Sequence, residues 1–463
     1  MYLFVALFLL MMGNFIYYVQ VKSIDDINNS YNTRQENLAA MVIRGSILAS
    51  DGQVIARTVT DEKGQEKREY PFGPLFAHVA GYSTKGRLGL ESMANISLLT
   101  SNAQLSEKIS NEVAEEKNIG DNIITTLDVD LQRCAFEALG IYKGAIVAMD
   151  PTDGRILAMV SNPGFDPNTI AADWDELNAR TDTSPLLNRV TLGLYPPGST
   201  FKIVTLLEYL RENDDPEAYS FNCKGSFTFD GVTVNCYHGS VHGQIGLKRS
   251  FAKSCNSSFA NIGSMLDNKS FNKTARDLLF DSDLPLKIPY KQSSFPLVNE
   301  SDTEEKLHCA IGQGKILASP IHICMITAAI ANGGMLRKPY LIDRIENYTG
   351  DIVKQYHPAD HKRLMSSDEA GSLMEYMEAV VSEGTGSKLS GQDYTVAGKT
   401  GSAEFGDQKG ESHAWFTGYA HMEGEEGKKI KPLVITVLVE GAGSGSDYAV
   451  PMAKRLFDEY ENR

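Results

Sequence analysis

Tyr195-Pro-Pro-Gly-Ser-Thr-Phe-Lys202, followed at once by Ile203-Val204 and Leu206-Leu207, is the stretch on which the reading of this chain turns. Proline and glycine punctuate the approach and an apolar helical pattern follows, which predicts Ser199 at or near a helix N-terminus. Residues three apart are neighbours on a helix, so the spacing sets the Lys202 amine beside the Ser199 hydroxyl. A neutral lysine there can take the serine's proton, and burial near other cations is what makes a lysine neutral. The helix dipole favours the negative charge that then develops on the serine oxygen.

By itself Ser-x-x-Lys is a weak pattern. Ser250/Lys253 and Ser270/Lys273 repeat it; Ser250 reads as part of a helix face and Ser270 as a helix cap, and capping is also the competing reading of Ser199. What separates them is company. Ser254-Cys255-Asn256 lies further on, and Lys399-Thr400-Gly401-Ser402, after Tyr394-Thr-Val-Ala397, is the only Lys-(Ser/Thr)-Gly in the chain. Each member has a job. Ser254 relays protons between Lys202 and a leaving amine, and Asn256 offers a donor and an acceptor to a substrate amide. Lys399 supplies a cation for a carboxylate, and Gly401 lets a substrate backbone come close. The backbone N–H groups of Ser199 and Ser402 form an oxyanion hole, in which one lost donor costs ~3 to 4 kcal/mol of transition-state stabilisation.

Around this core the chain has room for more than one folded part, because 463 residues exceed what a single core holds. The net charge of -15 argues against a nucleic-acid partner. Met1 to Val21 is almost uninterrupted apolar sequence, broken by Asn14 and Gln20, and is long enough to span a bilayer as an uncleaved signal anchor. Lys22 follows the run and no basic residue precedes it, the reverse of the usual positive-inside bias. The expected organisation is a transmembrane anchor at 1–21, a small, mostly β pedestal at 22–122, and a catalytic domain at 123–463. In the last, strands are expected at 123–127, 145–149, 155–160 and 433–440, and helices at 130–139, 201–210, 247–265, 319–331 and 367–381. This pattern is α+β, an antiparallel sheet with helices on its faces.

Six cysteines do not make a dense disulfide framework in so long a chain. Cys223 and Cys236, with His238 and His242 close behind, leave open a disulfide, free thiols or a metal site. Cys255 reads as a small buried packing residue. No metal or cofactor is assigned to the catalytic set.

The ordered set Ser-x-x-Lys, Ser-x-Asn, Lys-Thr-Gly is a recognised signature of penicillin-binding proteins and class A β-lactamases. With Tyr31-Asn-Thr-Arg34, Arg44-Gly-Ser-Ile47, Gly86-Arg-Leu-Gly-Leu-Glu91, Thr126-Leu-Asp128, Gly144 to Pro151, Ile311 to Gly314 and Ala331 to Gly334, the chain resembles class B penicillin-binding proteins over nearly its whole length. The brief pedestal is most similar to the penicillin-binding protein A subgroup. The resemblance implies a penicillin-binding, serine β-lactamase-like fold and a D,D-transpeptidase. Ser199 would be the acylated nucleophile, Lys202 the base, Ser254 and Asn256 the second motif, and Lys399, Thr400 and Gly401 the third. It further implies stem peptides ending in D-Ala-D-Ala as substrates, β-lactams as inhibitors, a catalytic domain outside the cytoplasm, and a membrane glycosyltransferase partner of the shape, elongation, division and sporulation family. The residues between anchor and catalytic domain are too few for a glycosyltransferase domain of its own. Trp174-Asp-Glu-Leu-Asn178 is superficially like the deacylating segment of class A β-lactamases but precedes Ser199, so it reads as a turn or helix start. The rivals are a β-lactam-hydrolysing or sensing protein and a catalytically inactive scaffold.

Overall fold

The computed structural model describes residues 2–17, 39–405, 411–421 and 432–462. The chain forms two compact units: one takes the chain up to Thr125 together with Asp166–Asp175 and Ile342–Tyr356, the other Thr126–Phe165, Glu176–Leu341 and His357–Arg463.

The first unit is built on a six-stranded sheet in the order Ile352–Gln355, Ile342–Glu346, Asn122–Thr125, Ile47–Leu48, Val54–Thr60, Glu66–Glu69. Ile47–Leu48 runs parallel to Asn122–Thr125, and the other neighbours are antiparallel. Two of its six strands therefore come from a hairpin late in the sequence. Four short helices within residues 77–113 accompany the sheet; three are only a turn or so long, too short to show helical periodicity. Glu91 is buried and holds this unit together: Arg44 Nε donates to Oε2 at 2.6 Å, Arg68 Nε to Oε1 at 2.7 Å and the Tyr70 hydroxyl to Oε1 at 3.2 Å. Burial alone would raise the Glu91 carboxyl, but the Arg68 and Arg44 guanidiniums outweigh it and hold the group below its ordinary value. The apolar N-terminus is helical over Tyr2–Tyr17, and among the described residues no helix is long and apolar enough to cross a membrane. The end of the expected anchor and the Tyr31–Arg34 motif lie outside the described residues.

In the second unit, α1 (Val129–Leu139) starts where the Asp128 carboxylate accepts the Leu131 N–H. The hairpin of β1 (Gly144–Met149) and β2 (Ile156–Asn162) follows. Then come α2 (Lys202–Glu212), α3 (Leu247–Ala252), α4 (Asn256–Met265), α5 (Pro320–Ala331) and α6 (Ser367–Ser382), the last opened by a capping box of Ser366 and Glu369. The chain closes with β3 (Thr395–Glu404), β4 (Ser412–His421), β5 (Leu433–Val439) and α7 (Ala449–Glu461). The five strands form one antiparallel sheet in the order β3-β4-β5-β1-β2.

On one face Leu131, Ala135 and Leu139 of α1 and Val450, Leu456 and Phe457 of α7 pack over Ile146, Phe416, Ile435 and Val437. On the other face α5 is tied down by a row of hydroxyls, Thr327 to Thr417 at 2.7 Å and Thr417 to Thr436 at 2.8 Å. Covering both faces leaves β1 and β5 buried at every residue, which is why they read as unbroken apolar runs. Two expectations are corrected. Residues 247–265 are not one helix: the chain breaks at Lys253-Ser254-Cys255 between α3 and α4. Ser270 is not the cap of its helix; the Asp267 carboxylate is, accepting the Ser270 N–H at 2.8 Å.

Candidate active site

The serine turn is a 3-10 turn, Gly198–Phe201, running straight into α2. Long-range bonds place it. Tyr195 and Ala318 exchange backbone bonds of 3.0 and 2.8 Å, the Gly198 N–H donates to Gly312 O at 2.9 Å, and the Trp415 indole donates to Pro196 O at 3.0 Å. Gly198 has φ +52, and a Cβ there would come within 2.9 Å of the Ala403 Cβ on β3, so only glycine lets the turn lie against that strand. Ser199 lines a cavity of about 300 Å³.

The break between α3 and α4 has a cause in the same place. Ser254 adopts φ +56, a left-handed conformation uncommon for a residue with a side chain. Its carbonyl accepts from Lys202 Nζ at 2.8 Å instead of from the next helical turn, and Cys255 Sγ takes over as acceptor for the Ser258 N–H at 3.4 Å. Lys202 Nζ also reaches Asn256 Oδ1 at 2.7 Å and Ser254 Oγ at 3.3 Å, while Lys399 Nζ donates to Ser254 Oγ at 2.9 Å and to Thr400 O at 3.2 Å. One hydroxyl thus lies between two fully buried amines. Among the described residues the Ser199 hydroxyl takes no hydrogen bond; the Lys202 amine is held by the second motif instead.

Burial pushes the Lys202 amine down to about 7, against smaller upward pulls from Cys255 and Cys236. Burial also drives Lys399 well below its ordinary value, and the Lys202 charge pushes it the same way. A neutral amine has two N–H bonds and one lone pair. At Lys202 the two carbonyl acceptors, Ser254 O and Asn256 Oδ1, use both N–H bonds and leave the lone pair for a hydroxyl proton.

β3 is the edge of its sheet. In an antiparallel ladder the N–H and C=O of one residue point to the same side. Thr400 O receives Lys399 Nζ and Ser402 O receives Gln313 Nε2 at 3.5 Å, so the backbone groups of Thr400 and Ser402 face away from β4. Gly401, which lines the cavity, also has a packing role: a Cβ there would stand 3.1 Å from Pro197 O, 3.1 Å from Trp415 Cβ and 3.2 Å from Thr200 Cγ2. Its missing side chain lets β3 close on the serine turn.

The structure thus brings Ser199, Lys202, Ser254, Asn256, Lys399, Thr400, Gly401 and Ser402 around one cleft. Sequence reasoning missed several neighbours. Thr385 shares a hydrogen bond with the Thr400 hydroxyl, and Ser446 donates to Thr385 O; Tyr237, Ser240, His242, Lys253 and Ser444 also line the cavity. Of these, His242 reads only as part of the cysteine–histidine group and Lys253 only as part of a chance Ser-x-x-Lys repeat, while Thr385 and Ser446 sit in glycine- and serine-rich loops with no periodic signal. Among the described residues no carboxylate lines the cavity. None of the six cysteines is in a disulfide, and Cys223 and Cys236 Sγ stand 3.7 Å apart.

Residues 144–458 match the family model described as the penicillin binding protein transpeptidase domain, and residues 44–123 match the penicillin binding protein A dimerisation domain. Among curated proteins the chain is 29% identical over 443 residues to a peptidoglycan D,D-transpeptidase PbpA of Mycolicibacterium smegmatis, covering 89% of this chain and 87% of the relative. A solved ceftriaxone acyl-enzyme complex of penicillin-binding protein A from M. tuberculosis superposes with a TM-score of 0.82 at 26% identity, over 92% of this chain and 99% of that one. A chain of a peptidoglycan synthase complex, described as coordinating polymerization and crosslinking, shares the fold at 24% identity, with a TM-score of 0.75 over 99% of this chain and 97% of that one.

Proposed function

We propose, from the premise that this chain belongs to the penicillin-binding protein transpeptidases and carries a dimerisation domain of the penicillin-binding protein A kind, the following reaction. The protein is a serine-type peptidoglycan D,D-transpeptidase that β-lactams acylate. The observation that carries this reading is the Ser254 hydroxyl set between the Lys202 and Lys399 amines at 3.3 and 2.9 Å, in the cleft that Ser199 lines.

In this reading the D-Ala-D-Ala end of a stem peptide lies along the free edge of β3, pairing with the backbone of Thr400 and Ser402. Its carboxylate meets Lys399 and the Thr400 hydroxyl. That negative charge restores the Lys399 ammonium, and a charged Lys399 keeps Lys202 neutral. Ser199 Oγ attacks the penultimate carbonyl, its proton passes to Lys202, and the Ser199 and Ser402 N–H groups hold the oxyanion. Ser254 hands the proton to the departing amine as the C–N bond breaks, D-Ala leaves, and an amine of a second stem takes the acyl group from Ser199. Asn256 positions the stem amide. In a β-lactam the leaving nitrogen stays tethered, and the ester persists.

The apolar run Met1–Val21 supports a single-pass signal anchor with the catalytic unit on the extracytoplasmic side, where the substrate is. A membrane glycosyltransferase that makes the glycan strands is the partner this arrangement calls for. The reaction is tested by intact-mass analysis after exposure to penicillin G, with peptide mapping. An adduct on Ser199 that is lost in Ser199→Ala is expected; an adduct on another side chain overturns the assignment.

A further inference from the structure

Beside the cleft, and outside the proton path, three thiols and an imidazole converge. Cys223, Cys236 and Cys255 Sγ and one ring nitrogen of His242 all lie within 4.8 Å of one another. Four of the six edges are 3.7 Å for Cys223 to Cys236, 3.7 Å for Cys236 to Cys255, and 3.3 and 3.8 Å from His242 Nδ1 to Cys223 and Cys236. Zinc–thiolate bonds of about 2.3 Å and zinc–imidazole bonds of about 2.0 to 2.1 Å in a tetrahedron imply edges of about 3.8 Å between sulfurs and about 3.6 Å from sulfur to nitrogen. These four edges have that size and the other two are no longer than 4.8 Å, whereas a disulfide needs sulfurs about 2.05 Å apart.

The surroundings favour thiolates. Cys236 Sγ receives the Ser257 hydroxyl at 3.0 Å and the Ser257 N–H at 3.5 Å, and Cys255 Sγ receives the Ser258 N–H. Both sulfurs therefore sit at the positive end of the ten-residue helix α4. Cys223 ends the strand Ser220–Cys223, Cys236 and His242 flank the turn Tyr237–Gly239, and Cys255 caps α4, so a shared ion joins three chain segments.

We propose that Cys223, Cys236, His242 and Cys255 bind one zinc ion, and that this ion holds the turn presenting Ser254 and Asn256. Cys255 lies between those two residues, and the Ser254 backbone is strained; a fourth bond at Cys255 fixes that conformation from outside the cleft. Binding releases three thiol protons and leaves a site of net charge −1 with no open position, so the ion is a structural clamp and not a Lewis acid for the substrate. His242 faces the cavity, which puts one ligand within reach of solvent.

The clamp's effect on acylation rests on the transpeptidase reading above; the metal content does not, so the two fail separately. Full-length protein purified in detergent without chelator is analysed for metal by mass spectrometry and for free thiols by titration. One zinc per chain is expected, retained in Ser199→Ala and lost in Cys223→Ser and His242→Ala. Cobalt added to the stripped protein is expected to give the thiolate charge-transfer and intense visible bands of a tetrahedral site. Stripping zinc with a chelator is expected to slow acylation by a fluorescent penicillin about tenfold or more, with recovery on adding zinc back. Substoichiometric zinc, together with a mapped disulfide or with three free thiols that give no cobalt spectrum, overturns the site. Stoichiometric zinc whose removal leaves the acylation rate unchanged overturns the clamp.

Discussion

Lys202 Nζ lies 2.7 Å from Asn256 Oδ1, so the amine proposed to deprotonate the serine is held by the second motif. Because burial brings Lys202 to about 7, and the neutral form is the base, the acylation rate is expected to rise with pH through about 7 and level off above it. Asn256→Asp would set a carboxylate against the amine and raise its pKa by about one unit or more. The rising limb of the rate profile for a fluorescent penicillin should move to higher pH by that amount. A profile with an unmoved limb would assign it to another group.

Gly401→Ala tests the fit of β3 on the serine turn. The new methyl would meet Pro197 O and Trp415 Cβ at 3.1 Å, forcing the strand outward by a fraction of an ångström. We expect a modest loss of stability, about 1 to 3 kcal/mol, and a loss in acylation of at least tenfold, because misplacement of about 1 Å costs about a hundredfold. Thermal unfolding and stopped-flow acylation measure the two separately.

Glu91→Gln leaves Arg44 and Arg68 facing a neutral amide in a buried site. Breaking such a pair from one side costs about 3 to 5 kcal/mol, to be read by urea unfolding. The pH sign follows from the depressed carboxyl. Its contribution is complete above the ordinary carboxylate pKa and is lost as pH falls through the lower, folded-state value. Wild-type protein should therefore lose this part of its stability in acid, and the variant should show a flatter acid limb.

Among the described residues no carboxylate lines the cavity, so none of them activates water against the ester. A penicillin adduct is expected to persist for many minutes in an intact-mass time course, whereas rapid return of the unmodified mass would favour the β-lactamase reading. Placing a glutamate at Ser444, one of the lining residues, should shorten the adduct's lifetime.

The three motifs that meet at the cleft were legible because each is contiguous and its spacing is local. The broken helix at 253–255 was not, because residues 247–265 carry a continuous helical pattern and the break is stabilised by Lys202, which removes Ser254 O from the helix. The packing role of Gly401 was hidden for a similar reason: its neighbours Pro197, Thr200 and Trp415 are distant in sequence. β3 and β4 lack clear alternation because most of their residues are buried on both faces. Thr385 and Ser446 joined the site only through tertiary contacts.

The late hairpin Ile342–Gln355, which supplies two of the six strands in the first unit's sheet, makes that unit discontinuous in the gene. No single break of the backbone can release it whole: a truncation ending before residue 342 would leave Asn122–Thr125 with an unpaired edge. A chimera exchanging this unit between homologues must carry the hairpin as a second insert, and during synthesis the sheet stays incomplete until most of the polypeptide has left the ribosome.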